Sequence, residues 1–204
     1  MLYAAGVFLK QLSIVTAGLF AVVGIFIFLN PNRIARLTSF WVDDFWASND
    51  AKVHQTQQAL IGIARGDWFG TGIGAGIQKY SLLPERHTDM IFAVIGEELG
   101  ILGMMFVLLS FLFILLKGFK IAKVALQKGR YYSSYVVFGI CTWFAMQITV
   151  NIGMNLGLLP PKGFTLPLLS YGGTSMIFAI ISLAIVLRVD MENRTKYSKQ
   201  RHYV

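Results

Sequence analysis

Charged side chains are scarce in this sequence of 204 residues, at 14% of the total, and there is only one cysteine. A soluble domain usually carries about 25% charged residues. The composition, 55% hydrophobic, therefore excludes an ordinary soluble protein and indicates a membrane protein. With Cys141 alone, no disulfide can form within the chain. Because Cys141 lies in an apolar run, we interpret it as a small buried residue.

Acidic residues are fewer than basic ones, and the net charge is +8. A basic balance can indicate nucleic-acid binding, but these cations cluster between apolar runs, as they do in cytoplasmic loops. We therefore predict no nucleic-acid partner. Residues 70–75 formally fit G-x-G-x-x-A, but no strand precedes them and no βαβ pattern surrounds them, so a dinucleotide fold is excluded.

Long apolar runs dominate the chain. A membrane-spanning helix needs about 20 such residues, and the sequence predicts an all-α integral membrane protein with about four spans in a single domain, 1–204. The first run is expected to be a retained span, because no small-residue cleavage site follows it. The four predicted spans are Gln11–Leu29, Met90–Leu116, Tyr135–Leu156 and Leu168–Leu187.

Loop charges predict the orientation, since cytoplasmic loops are rich in Lys and Arg. Five cations between Lys117 and Arg130 occupy the connection between spans two and three, and five more lie in a polar tail, residues 188–204. Both regions, together with Lys10, fall on one side if there are four spans. That side is predicted to be cytoplasmic, and the loop of residues 30–89 extracytoplasmic.

The long outer loop has two dissimilar halves. Phe40–Ala64 carries apolar residues at helical spacing, with Trp41 and Trp46 suited to an interface. It is predicted to be an amphipathic or re-entrant helix in the outer leaflet, with a loop helix packed on protein as the alternative. The second half is rich in glycine, which allows positive φ and close backbone approach.

The densest polar cluster, residues 84–89, ends at the mouth of span two with Asp89. Two interpretations stay open for this carboxylate: stabilising the helix N-terminus electrostatically, or acting as a general base. A metal site using Glu85 and His87 as well is weakly supported by the spacing, and none is predicted.

Two further acids, Glu97 and Glu98, lie roughly 12–13 Å along the same helix. An acid at the membrane centre is costly, so we expect them to pair with Arg65 or Arg86, or to contact substrate. Lys79 and Arg86 are either solvated loop cations or partners of an anionic headgroup.

A second outer segment, residues 151–175, combines prolines and glycines at membrane depth. Irregular backbone there is tolerated only where it is buried in protein or lines a cavity. We therefore predict a pocket between spans three and four. Its predicted polar lining is Asn151, Asn155, Lys162, Thr165, Ser170 and Tyr171.

Five motifs occur in a fixed order and strongly resemble the SEDS family of shape, elongation, division and sporulation proteins. They are GTGIGAGIQK at 70–79, LPERHTD at 83–89, IGEELG at 95–100, NIGMNLGLLP at 151–160 and LPLLSYGG at 166–173. The resemblance covers nearly the whole chain. Family members have more spans, and this chain resembles their C-terminal portion. Residues 162–167 and Asn155 resemble the division member more than the elongation member.

This resemblance implies a peptidoglycan glycosyltransferase that polymerises lipid II for the division septum, on the outer face of the bacterial cytoplasmic membrane. Asp89 would be the essential aspartate, and Mg²⁺ could offset the charge of the departing pyrophosphate. The implied partners are a class B penicillin-binding protein, other division membrane proteins and the undecaprenyl-pyrophosphate-linked glycan. The candidate substrate-binding residues are Lys79, Glu85, Arg86, His87, Glu97, Glu98, Asn155, Lys162 and Ser170.

Two alternatives remain at this point. A lipid II flippase would need a polar path through the whole membrane, but the charges lie near one rim, which favours chemistry at a surface. A non-catalytic scaffold that recruits the transpeptidase is also compatible with so short a chain.

Overall fold

The computed structural model describes residues 51–77 and 88–201, and these are helical with connecting turns and loops. The first predicted span and the beginning of the predicted amphipathic segment lie outside the described residues. The chain divides into two compact units, Met1–His54 and Gln55–Val204, and the contacts below lie within the second. The described helices are α1 Ala51–Gly66, α2 Ile91–Gln127, α3 Tyr131–Asn155 and α4 Gly173–Arg201.

Three of these helices are long and apolar enough to cross a membrane, namely α2, α3 and the first 23 residues of α4. They correspond to the second, third and fourth predicted spans, so the all-α membrane fold is confirmed. Large apolar side chains such as Phe106, Phe113 and Phe178 are more than half exposed on these helices. An apolar surface of this extent is expected where helices face lipid rather than water.

The end of α2 differs from the prediction. The helix continues from Leu116 to Gln127, so Lys117, Lys120 and Lys123 lie on it and not in a loop. Lysine and alanine are good helix formers, and their helix propensity persists where hydropathy falls. The connection to α3 is only residues 128–130, turned by Gly129 at φ 71°.

The last helix also departs from its predicted bounds. It begins at Gly173 rather than Leu168, because residues 167–169 form a turn in which Ser170 Oγ accepts a hydrogen bond from the Leu166 N–H, at 2.6 Å. At the other end it continues through most of the predicted polar tail, to Arg201. The ion pairs Arg188–Glu192 and Arg194–Asp190 have the i,i+4 spacing that supports a helix.

A buried asparagine joins α2, the turn and α4 at the lysine-rich end. The Asn193 side chain donates to the Ile121 carbonyl at 3.3 Å and accepts from Arg130 Nη1 at 3.2 Å. The Lys128 ammonium donates to the Asn193 backbone carbonyl, and Arg130 pairs with Glu192. Cations that were predicted to lie in a cytoplasmic loop therefore also fix the geometry of this end.

Close contact between α2 and α3 depends on Gly118. A Cβ built at this glycine would lie 2.3 Å from Cys141 Sγ, inside van der Waals contact. Cys141 is itself buried and packs with Ala122 and Val137, which confirms its interpretation as a small core residue. Small residues at such a contact allow membrane helices to approach closely.

We expect Gly118→Ala to lower the free energy of unfolding by about 1–3 kcal/mol, because the added methyl overlaps a packed sulfur. Adding Cys141→Ala removes that sulfur and should restore most of the loss. Thermal unfolding in detergent would measure both. Gly173→Ala is the control, since no atom lies within 4 Å of its built Cβ. Additive losses in the double variant would contradict the packing argument.

Candidate functional site

Asp89 lies two residues before Ile91, where α2 begins, and it is partly buried. Its backbone carbonyl accepts two hydrogen bonds of 2.9 Å, from Nδ2 of Asn151 and Nδ2 of Asn155. A carbonyl oxygen has two lone pairs, so these donors can use both. The backbone of the candidate base is thereby attached to α3.

Asn155 makes a second bond to the start of α2. Its Oδ1 accepts from the Ala93 N–H at 3.0 Å, and both asparagines have 0% of their surface exposed. The helix N-cap is Met90, not Asp89. The Asp89 side chain therefore does not cap the Ala93 N–H. Its negative charge can still interact favourably with the positive end of the helix dipole.

The segment between α3 and α4 passes beside the Asp89 carboxylate. A Cβ built at Gly163 would lie 3.8 Å from Asp89 Oδ2. Asn151 Nδ2 also donates to the Phe164 carbonyl, so the same side chain holds this segment and Asp89. Lys162 is exposed, and its backbone N–H points to Met154 Sδ at 3.0 Å. The two outer segments predicted from the sequence therefore meet at Asp89.

Glu97 is fully buried and lies away from this point. Its Oε1 pairs with Arg65 Nη1 at 3.3 Å and accepts from the Ile77 N–H at 2.8 Å. The predicted ion pair with Arg65 is thus confirmed. Glu98 is partly buried, with its Oε1 3.2 Å from a Cβ built at Gly76. Both acids contact the glycine-rich loop, and their contact with substrate remains a prediction.

The glycine-rich loop, residues 67–77, supplies hydrogen-bond partners to backbone groups at a break in α2. Gly100 has φ 66° and ψ −166°, which interrupts the helical hydrogen bonds. The loop supplies replacements on both sides of the break: Thr71 N–H and Gly72 N–H donate to the carbonyls of Glu97 and Glu98, at 2.9 and 3.1 Å. Asp67 and Trp68 carbonyls accept from the N–H groups of Ile101 and Leu102, at 2.9 and 3.3 Å.

A cavity of about 400 Å³ lies between α3 and α4 beneath their connecting segment. Of the six predicted lining residues, only Thr165 and Ser170 line it. Asn151 and Asn155 face α2 instead, while Lys162 and Tyr171 are exposed, so this part of the prediction was wrong. Ser170 is 2% exposed and bonded to the Leu166 N–H, and its role as a substrate ligand stays a prediction.

Gln147 was missed from the sequence. Its Nε2 donates to the Thr165 carbonyl at 3.0 Å, and the residue lines the same cavity. An amide inside an apolar span needs a hydrogen-bond partner, so the position of Gln147 in span three is a signal from which a buried hydrogen bond could have been predicted. The spacing of Asn151 and Asn155, one helical turn apart, is a similar signal. Four candidate substrate-binding residues lie outside the described residues: Lys79, Glu85, Arg86 and His87.

Comparisons with known proteins agree with the motifs. The sequence model of the cell cycle protein family of FtsW, RodA and SpoVE matches residues 1–195. A probable peptidoglycan glycosyltransferase FtsW of Francisella salina is 42% identical over 95% of this chain and 48% of its own length. One of Legionella pneumophila is 45% identical over 95% of this chain and 49% of its own length. The chain therefore spans about half the length of these curated relatives.

One solved structure has the same fold. It is described as the structural coordination of polymerization and crosslinking by a peptidoglycan synthase complex, and it superposes with a TM-score of 0.70 at 27% identity. The match covers 95% of this chain and 52% of that one.

The contact between the glycine-rich loop and the break in α2 predicts that Gly→Ala substitutions in this loop will destabilise the protein to different extents. Gly70 and Gly72 both have positive φ, but only at Gly70 would a Cβ collide with the backbone, 2.1 Å from the Glu98 carbonyl oxygen. Gly70→Ala should therefore destabilise the protein by about 1–3 kcal/mol more than Gly72→Ala. Thermal unfolding of the two variants in detergent would test this, and equal losses would show that the loop does not rest on α2.

Proposed function

Because this chain belongs to the SEDS family of cell cycle proteins and is most like FtsW, we propose that it is the C-terminal half of a lipid II polymerase. The complete protein would add disaccharide units to a growing glycan strand during septal wall synthesis. The observation that carries the proposal is Asp89. Its backbone is held by α3, and its carboxylate lies beside the segment that joins α3 to α4.

The reaction needs one proton acceptor. A sugar hydroxyl is a poor nucleophile until its proton is removed, and a positioned carboxylate base typically contributes 10²–10⁴-fold in rate. Asp89 takes that proton while the hydroxyl oxygen attacks the anomeric carbon of the donor sugar. The bond from this carbon to the pyrophosphate oxygen breaks, and the lipid pyrophosphate departs with the electron pair. Attack opposite the leaving group inverts the transferred sugar.

The departing pyrophosphate carries charge that cations would stabilise. Lys79 and Arg86 are the protein candidates in this proposal, and Mg²⁺ is the candidate ion. No cluster of three His, Cys, Asp or Glu residues able to hold a metal occurs in residues 51–77 and 88–201. Mg²⁺ is usually held by one or two carboxylates together with substrate phosphates, and no step above passes through the ion.

The proposed setting is the bacterial cytoplasmic membrane, with Asp89 on the outer side and α4 ending in the cytoplasm. The proposed partner is a class B penicillin-binding protein, which would crosslink the strands that the polymerase makes, together with other division proteins. In support, the similar solved structure is described as a complex that coordinates polymerization and crosslinking.

The activity can be tested by reconstituting this chain with the N-terminal half of the Legionella relative, in liposomes containing lipid II. We expect Asp89→Asn to reduce glycan strand formation by about 10²-fold or more. Asp190→Asn is the matched control, because Asp190 pairs only locally with Arg194 in the described contacts.

Each alternative gives a different result. Unchanged polymerisation in Asp89→Asn would overturn the proposal. It would also be overturned if the unsubstituted protein made no glycan strands under conditions in which the complete relative makes them. A flippase would show altered lipid II translocation with polymerisation spared. A scaffold would still bind its transpeptidase and would not respond to the substitution.

The orientation can be tested separately with single cysteines in a Cys141→Ala background. Tyr171 and Tyr132 are 77% and 83% exposed and lie at opposite ends of the helices. A membrane-impermeant maleimide should label Tyr171→Cys in intact spheroplasts, and Tyr132→Cys only after the membrane is permeabilised. The reverse pattern would place Asp89 in the cytoplasm and contradict the mechanism.

A further inference from the structure

Asn155 takes the place of a peptide group at the start of α2. In an α-helix, the N–H of residue 93 would bond to the carbonyl of residue 89. Here the Asn155 amide lies between the two: Nδ2 donates to the Asp89 carbonyl at 2.9 Å, and Oδ1 accepts from the Ala93 N–H at 3.0 Å. The Ala93 N–H also lies 3.1 Å from the Met90 carbonyl, in a tighter turn. Asp89 thus lies outside the helix, and the amide connects its carbonyl to the Ala93 N–H.

Asn151 completes the arrangement from the preceding turn of α3. Its Nδ2 donates to both the Asp89 and the Phe164 carbonyls, and its Oδ1 accepts from Asn155 Nδ2 at 3.2 Å. The two asparagines therefore fix the Asp89 backbone and the backbone next to Gly163 to the same helix. Both side chains are fully buried, so each lost bond would leave an unsatisfied polar group.

We infer that Asn155 and Asn151 are positioning residues for the Asp89 carboxylate, which act through its backbone and not by contact with substrate. This inference rests on the proposed function and refines the earlier interpretation of Asn155 as a substrate ligand. A base must lie within hydrogen-bond reach of the proton that it removes. Two buried donors on its carbonyl hold the backbone of Asp89 in place, and this sets the point from which its carboxylate extends.

The chemistry requires an amide at position 155. Aspartate has nearly the same shape and could still accept from the Ala93 N–H, but an ionised carboxylate cannot donate to the Asp89 carbonyl. It would also place a negative charge against that oxygen. Asn155→Asp should therefore disturb Asp89 with little change in volume, and Asn155→Ala should remove both bonds.

Asn193 is the matched control. It is a second buried asparagine, 3% exposed, that also bridges helices through its amide. It joins the other end of α2, which is roughly 50 Å away along the helix. Asn193→Ala therefore removes the same kind of side chain from the same fold without approaching Asp89.

The test measures steady-state kinetics in the reconstituted system described above. For Asn155→Asp, Asn155→Ala and Asn151→Ala we expect kcat for lipid II to fall about 10-fold or more, since small misplacements of reacting groups can cost up to about 10²-fold. KM should stay within about 2-fold, because substrate contacts are unchanged. Asn193→Ala should keep kcat within about 2-fold.

A second readout does not depend on activity. Hydrogen exchange of the peptide that spans residues 88–95 should be faster in the Asn155 variants than in the unsubstituted chain, and unchanged in Asn193→Ala. Unchanged exchange or unchanged kcat would overturn the inference, as would a rise in KM alone, which would indicate a substrate ligand. Failure of the Asn155 and Asn151 variants to accumulate in membranes, where Asn193→Ala does, would also overturn it in favour of a folding role.

The two proposals fail in different ways. If Asp89→Asn abolishes polymerisation while the asparagine variants retain it, only the positioning inference is wrong. If Asp89→Asn polymerises normally, the proposed function is wrong, and faster exchange in the Asn155 variants would describe a structural contact alone.

Discussion

The end of this protein that contains Asp89 is organised by the need to satisfy backbone N–H and C=O groups where a membrane helix is irregular. Unpaired groups in such surroundings cost several kcal/mol each. The helix α2 departs from regular bonding at its start and at Gly100, and both places obtain partners from elsewhere in the chain. The glycine-rich loop supplies hydrogen-bond partners on both sides of Gly100, and Asn155 supplies them at the start of the helix. Because each partner satisfies groups on α2, the loop, α3 and Asp89 depend on one another.

The need to pair buried polar groups also distinguishes the positions of two acidic residues, Glu97 and Asp89. Burying the Glu97 carboxylate without partners would be strongly unfavourable, and Arg65 and the Ile77 N–H provide them. Arg65 is 42% exposed on its side chain, so solvent screens part of the attraction. Glu97 therefore organises the loop above the helix break. Asp89 is a partly buried residue whose carboxylate lies beside a different segment, at Gly163, and this position is compatible with its proposed role as a base.

Hydropathy predicted the three described spans, and motif order predicted the family, because both can be recognised in short stretches of sequence without knowledge of tertiary contacts. Helix ends were harder to predict. Lysines 117, 120 and 123 lower hydropathy without lowering helix propensity, so α2 continues beyond its apolar part. The lining of the cavity also could not be predicted. Gln147, Asn151 and Asn155 are spaced four residues apart in span three, so their periodicity does not indicate that the asparagines face α2 while Gln147 faces the cavity.

An aspartate next to a helix start would ordinarily be used as a cap, since a carboxylate there accepts the N–H of the first turn. In this protein the Ala93 N–H bonds to Asn155 and to the Met90 carbonyl. This donor does not need the Asp89 carboxylate. A neutral amide from α3 can satisfy the helix end without titrating, whereas a carboxylate in the same place could not also remove a proton from substrate. Supplying the bond from another helix is thus compatible with the proposed role of Asp89 as a general base beside a helix terminus.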